Sequence, residues 1–212
     1  QLTQNGEDGN NMHGGFKGLT FRVWNAEILQ DAVRFSLLSP HGEEGFPGNL
    51  KVSVTCRMTE EDGLHYTYDA VSDQDTVVNM TCHAYFNLEG HDAGPVLDHV
   101  LQSPASYYRE EEPAGMPKTS VFCVEGTPFD FRTAHTFGRD LYMPHPQLTP
   151  EFGYDRNAYL GESGVWKQAA RVKAPISGIT MEVLTTQTGF QLYCPGFLLE
   201  GHPGKGGVSY KA

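Results

Sequence analysis

The sequence has no apolar run approaching the ~20 residues that a membrane-spanning helix needs. No stretch with a 3.6-residue hydrophobic period runs past ten residues, which excludes a framework of long amphipathic helices. Positive charge is scarce: 15 Lys and Arg stand against 26 Asp and Glu, for a formal net charge of −11. Such a surface repels phosphate backbones and anionic lipids, so neither nucleic acid nor a membrane is an expected partner. Cys56, Cys82, Cys123 and Cys194 form no CxxC pair, and the nine histidines form no HxxxH or HExxH. Zinc-ligand spacing is therefore missing, and reduced thiols in a cytoplasmic protein are expected. Asn79-Met80-Thr81 is a glycosylation sequon that matters only in a secreted chain.

What is abundant is punctuation, with 24 glycines and 13 prolines, alongside 11% aromatic residues. That suits many short strands joined by turns. Leu50, Val52, Val54, Cys56 and Met58 alternate with Lys51, Ser53, Thr55 and Arg57, a half-buried strand. Glu60-Glu61-Asp62-Gly63 makes a turn, and Leu64, Tyr66, Tyr68 and Ala70 resume the alternation, giving an antiparallel hairpin. Further strands are expected at 21–24, 33–38, 76–82, 120–124 and 169–172. A last pair, 179–186 and 190–193, is expected to be linked through Thr188-Gly189. Residues 3–15, 39–49 and 102–118 read as loops, the last carrying the solvated run Glu110-Glu111-Glu112. The expected fold is an all-β antiparallel β-sandwich, with 1–212 as a single domain.

Several polar residues sit in chemically suggestive contexts. His13 precedes Gly14-Gly15, where the absent side chains let a ligand approach. His83, expected at a strand end, is followed by Tyr85, Phe86 and Asn87; imidazole titrates near ~6.5 and is readily tuned for proton transfer. Either histidine also fits a purely structural role. Asp155 lies in Phe152-Gly153-Tyr154-Asp155-Arg156-Asn157, where it suits sugar hydroxyls but equally an ion pair with Arg156 or a turn cap. Alternation places Gln191 on the face opposite Phe190 and Leu192, which is either a site or the solvent side. His99, His135 and His145 stand in loop-like surroundings and are expected to be exposed. Aromatic walls with amide, carboxylate and imidazole groups are what a neutral sugar requires.

Five motifs, in order, resemble the galactose mutarotase (aldose 1-epimerase) family. Asn11-Met12-His13-Gly14-Gly15, with Gly18 and Trp24, resembles its N-x-H-G-G segment. Ser39-Pro40-His41-Gly42-Glu43-Glu44-Gly45-Phe46-Pro47-Gly48 resembles its SPDGEEGYPG loop. Residues 79–90 resemble its NLTNHSYFNLAG block, and 153–157 its GFDHN turn. Residues 185–193 are similar to its TTQPGVQFY segment. Cys82, Pro195 and Leu199 are small departures.

The resemblance implies a β-sandwich that interconverts the α and β anomers of free hexoses such as D-galactose and D-glucose. It implies His83 as general acid, with His13, Asp155 and Gln191 binding sugar hydroxyls and Tyr85 beside the acid. No cofactor or metal is implied, since the chemistry is proton transfer. A cytoplasmic monomer is expected.

The family's substrate-binding asparagine–arginine pair lies before the segment that Gln1-Leu2-Thr3 continues. Its glutamate base follows the segment matching 204–210, and neither Glu200 nor Glu110–Glu112 sits in that context. A portion of the domain incomplete at both ends, without its base, is expected; the alternative is a catalytically inactive sugar-binding short form.

Overall fold

The computed structural model describes residues 1–6, 9–112, 116–148, 153–194 and 203–210; Phe152, Pro195, Leu199 and Glu200 lie outside them. Among the described residues the regular elements are twelve strands and four single-turn 3-10 helices, and every strand pairing is antiparallel. The all-β expectation holds. The chain divides into two compact units, Gln1–His83 and Ala84–Ala212.

The first unit is a four-stranded sheet ordered β1 (Asn25–Ile28), β2 (Ala32–Ser39), β3 (Leu50–Met58) and β4 (Leu64–Ser72). The β3–β4 hairpin is the one the alternation foretold, with Val54 opposite Tyr68 and Cys56 opposite Tyr66. Its turn closes by two bonds, Thr59 N–H to the Gly63 carbonyl (2.7 Å) and Gly63 N–H to Thr59 Oγ1 (3.0 Å). Register puts Val33, Phe35 and Leu37 on the same face as Cys56, Val54 and Val52.

Two expected strands of this unit are corrected. Residues 21–24 do not form one: a 3-10 turn, Leu19–Phe21, takes their place and β1 begins at Asn25. The Trp24 ring N–H donates to the Leu19 carbonyl (3.0 Å), folding the segment on itself and leaving Phe21 and Val23 exposed. Residues 76–82 carry no regular structure, so His83 does not follow a strand. Val77 and Val78 are exposed there, and β-branching alone does not make a strand without a ladder partner.

The second unit holds two four-stranded sheets. One is ordered β11 (Thr180–Thr185), β10 (Lys167–Lys173), β5 (Val100–Gln102) and β8 (His135–Thr136). The other is β12 (Gly189–Cys194), β9 (Tyr154–Tyr159), β6 (Tyr107–Glu111) and β7 (Pro117–Cys123). Leu101 and Ala170 from the first sheet join Tyr108, Tyr154, Ala158 and Leu192 from the second in one core, with Phe129 and Phe131 between strands. Residues from both inner faces in one cluster make this unit a sandwich.

Three readings change here. β11 and β12 are not a hairpin: β11 pairs with β10 and β12 with β9. Their connection is tied elsewhere, since Gly164 N–H bonds the Thr186 carbonyl and Leu160 N–H the Thr188 carbonyl, both at 2.7 Å. Residues 107–111 and 117–118, expected in a loop, are strand; Tyr108 is fully buried and Glu111 pairs with Arg156 at 2.7 Å. The 153–157 turn is the start of β9.

His99, His135 and His145 are not exposed. His135 is 8% exposed, stacks on Phe131 at 4.4 Å, and sets its two ring nitrogens 3.0 and 2.9 Å from the Thr136 and Asp130 carbonyls. The partly buried His145 packs on Phe122 and Phe129 and accepts the Gln147 N–H (3.1 Å). His99 is 2% exposed, and its Nε2 accepts the Leu88 N–H (3.1 Å). Buried histidine survives where backbone groups satisfy it. Burial pushes the His99 pKa down, against the pull of Glu89, the Val96 carbonyl and Asp98.

Leu101→Ala is expected to cost about 2–5 kcal/mol in urea unfolding, the range for emptying a core leucine site. Tyr108→Phe should be neutral or stabilising, because that buried hydroxyl finds no partner among the described residues. Neutral His99 favours the fold, so its contribution is full above the ordinary histidine pKa and is lost as pH falls through its lowered folded value. Hydrogen exchange at the Leu88 amide should accelerate over that acid window, beyond the change at the β3–β4 amides.

Candidate active site

His13 is carried by a loop whose backbone is specified almost atom by atom. Asn5 and Met12 exchange two bonds (Asn5 Nδ2 to the Met12 carbonyl, 2.9 Å; Met12 N–H to Asn5 Oδ1, 2.8 Å). Asn11 Nδ2 donates to the Thr3 carbonyl (2.8 Å). His13 adopts φ 53°, the left-handed region that side chains with a Cβ rarely occupy. The loop then closes so tightly that a Cβ on Gly18 would come within 2.5 Å of the His13 carbonyl oxygen. This geometry sets the His13 ring edge-on to His83, with centroids 5.5 Å apart and planes at 87°.

His83 is placed from the sheet rather than from a strand of its own. The Tyr68 hydroxyl bonds the backbone of Cys82, and the Tyr66 hydroxyl bonds the Cys82 thiol. Both tyrosines project from the same face of β4, two residues apart, their rings 6.4 Å from each other. Burial, with Cys82 adding to it, pushes the Tyr68 pKa up to about 12, so the phenol stays protonated at neutral pH.

In the second unit Asp155, Gln191, Tyr85 and Tyr193 gather. Alternation along β9 turns Asp155 to one face and Arg156 to the other. Arg156 pairs with Glu111 and, through its side chain, with the carbonyl of Asp155 rather than its carboxylate. Register sets Asp155 opposite Tyr193 and Asn157 opposite Gln191 on β12. Gln191 Nε2 donates to Asp155 Oδ1 at 2.7 Å. Tyr85 tilts against Tyr193 with centroids 5.9 Å apart. Its segment is clamped by Asn87 Nδ2 on the Gly94 carbonyl (2.9 Å) and by the Glu89 carboxylate, which accepts Ile176 and Ser177 N–H (2.8 and 2.6 Å).

Burial and the Asp155 charge raise the phenol pKa of Tyr85; for Tyr193 burial, Tyr85 and then Asp155 do so. The second unit offers a hydrogen-bonding surface of carboxylate, amide and phenol with ring walls, and the first offers imidazole, a group suited to proton transfer. Among the described residues no group of three His, Cys, Asp or Glu is placed to hold a metal ion.

The residues named from sequence thus fall into two clusters, His13 with His83 and Tyr85 with Asp155 and Gln191. Tyr193 was missed, although alternation from Gln191 along the same strand points to it. Glu44, which accepts the Lys17 N–H (2.7 Å) in the His13 loop, was visible in sequence only as a loop acid. Asp155→Asn should lower the phenol pKa of both Tyr85 and Tyr193, read by ultraviolet titration of ionised tyrosine.

Residues 1–210 match the family model described as aldose 1-epimerase. Galactose mutarotase of Rattus norvegicus is 39% identical over 201 residues, which cover 95% of this chain and 57% of that protein. Aldose 1-epimerase of Escherichia coli (strain K12) is 36% identical over 203 residues, covering 95% of this chain and 58% of that protein. The crystal structure of a GalM/aldose epimerase homologue from C. elegans aligns with a TM-score of 0.86 at 27% identity, covering all of this chain and 62% of that one. The chain therefore spans about 57–62% of the length of these relatives. With the fold and nearly every residue of the sequence matched, the chain belongs to the aldose 1-epimerase family.

Proposed function

We propose that the protein interconverts the α and β anomers of free hexoses such as D-galactose and D-glucose by acid–base ring opening, within one aldose 1-epimerase domain. The observation that carries this reading is that the motif residues meet within each unit, His13 against His83 in the first and Tyr85 with Asp155 and Gln191 in the second. His83 donates a proton to the ring oxygen as the C1–O5 bond breaks. A base takes the anomeric hydroxyl proton, so C1 becomes a carbonyl. Rotation about C1–C2 and reclosure, with both protons returned, give the other anomer. His13, Asp155, Gln191 and Tyr85 hold the sugar through hydroxyl bonds and ring contact. The base in this reading is the glutamate that the family resemblance implies after a segment matching 204–210.

The reaction calls for no cofactor or metal, and the setting that fits it is a cytoplasmic monomer. No helix among the described residues is long and apolar enough to cross a membrane. A second reading, sugar binding without catalysis, rests on the cluster of Tyr85, Asp155 and Gln191, whose groups bond hydroxyls without any proton transfer.

Polarimetry on fresh α-D-galactose, paired with a galactose titration followed by NMR, tests both. In a chain extended through the family's glutamate, His83→Ala should slow mutarotation by ~10²–10⁴, the usual share of a general acid or base. The 212-residue chain should bind galactose yet show little mutarotation. Full activity without the glutamate sinks the assignment of the base, and absence of binding sinks the sugar site itself.

A further inference from the structure

The loop that bears His13 is held in an unfavourable backbone shape, and one side chain accounts for how. Residues 13–15 run with φ 53°, 86° and 94° in succession. The Gly15 N–H turns back to the Met12 carbonyl, and the next two N–H groups, of Phe16 and Lys17, meet one carboxylate, that of Glu44. Its Oε1 accepts the Lys17 N–H at 2.7 Å, and the Phe16 N–H and the Thr3 hydroxyl bond the same carboxylate. Its Oε2 lies where a Cβ on Gly15 would come within 2.2 Å, so Gly15 is required by contact as well as by its φ.

Glu44 is itself fixed. It sits at φ 49° in the turn Glu43–Gly45, and its carbonyl accepts the Thr3 N–H (2.9 Å). The neighbouring Glu43 is tied to Ser39 Oγ at the end of β2 (2.6 Å) and paired with Arg22. A continuous line of short polar contacts thus runs from the sheet through Glu44 to the His13 turn, and ends at the ring pair of His13 and His83.

We propose that Glu44 is the positioning residue of the histidine pair: its carboxylate holds the backbone of 13–17 in the shape that stands the His13 ring edge-on to His83. Its importance for sugar binding rests on the function proposed above; its effect on His13 does not. A charged acceptor facing backbone donors makes a stronger and more directional clamp than an amide, which presents N–H groups to them on one side. The Thr3, Phe16 and Lys17 contacts also hold the Glu44 carboxyl below the usual carboxylate range.

NMR on the 212-residue chain tests this. In the unsubstituted protein, cross-relaxation between the His13 and His83 rings should be present and the Lys17 amide proton shifted downfield. In Glu44→Gln the ring-to-ring signal should fall at least ~5-fold and the Lys17 shift should collapse, the charge-assisted bond being gone. The Cys56–Tyr66 cross-strand signals should stay intact. Gly15→Ala, which pushes the carboxylate out, should give the same pattern, and Glu44→Asp serves if Glu44→Gln does not fold. Glu27→Gln, at an exposed ion pair with Arg34, should leave the ring signals alone.

Persistence of the ring-to-ring signal in Glu44→Gln overturns the proposal. So does its loss together with the β3–β4 signals, which makes Glu44 a support of the fold at large. A galactose titration separates the two ideas. If Glu44→Gln and His13→Ala weaken binding equally and the double variant no further, positioning and sugar contact both stand. Displacement of His13 with unchanged galactose binding leaves positioning standing and removes His13 from the sugar site.

Discussion

Two-residue alternation along paired antiparallel strands governs both what the second unit buries and what it presents. On β9 and β12 it sends Tyr154, Ala158 and Leu192 into the core, and Asp155, Asn157, Gln191 and Tyr193 to the other face. The same rule separates Asp155 from Arg156, so the arginine neutralises Glu111 and leaves the aspartate to bond Gln191. A one-residue slip in register would exchange the two sets, burying carboxylate and amide and exposing the core. Site and core are therefore specified together and cannot drift independently.

The histidine pair depends on a different device. Neither His13 nor His83 stands on a strand; each is fixed by contacts from elements distant in sequence. Side-chain acceptors in Asn5 and Glu44 shape the loop before β1, while β4 contributes tyrosine hydroxyls that hold Cys82 and with it His83. Loops of this kind place catalytic groups where a regular element could not turn them. They reach the required precision only when the backbone is pinned at several points.

Buried histidines in the second unit do structural work of a related sort. His99 joins the Leu88 N–H to the region of Val96, and so braces the segment that presents Tyr85. His135 bridges two backbone carbonyls beneath Phe131. His13, His83, His99, His135 and His145 thus divide between candidate chemistry and backbone satisfaction, and residue type alone does not separate the two.

Wherever pattern and propensity agreed, the sequence by itself determined the element. The strict alternation of 50–58 and 64–70 encoded the β3–β4 hairpin, whose second strand continues to Ser72, and the ordered motifs encoded family and site candidates. Tertiary structure decided the rest, for physical reasons visible at particular residues. Residues 76–82 are β-branched but have no ladder, so they are not a strand. Residues 107–111 look like loop because of their charges, yet Arg156 neutralises Glu111 and Tyr108 fills the core. Strands β11 and β12 adjoin in sequence but join different sheets, because β11 folds back on its chain neighbour β10 while β12 finds its partner, β9, at longer range. Local sequence fixes the period of the side chains; which strand lies alongside, and hence which polar groups meet, is set by contacts that only the folded chain brings together.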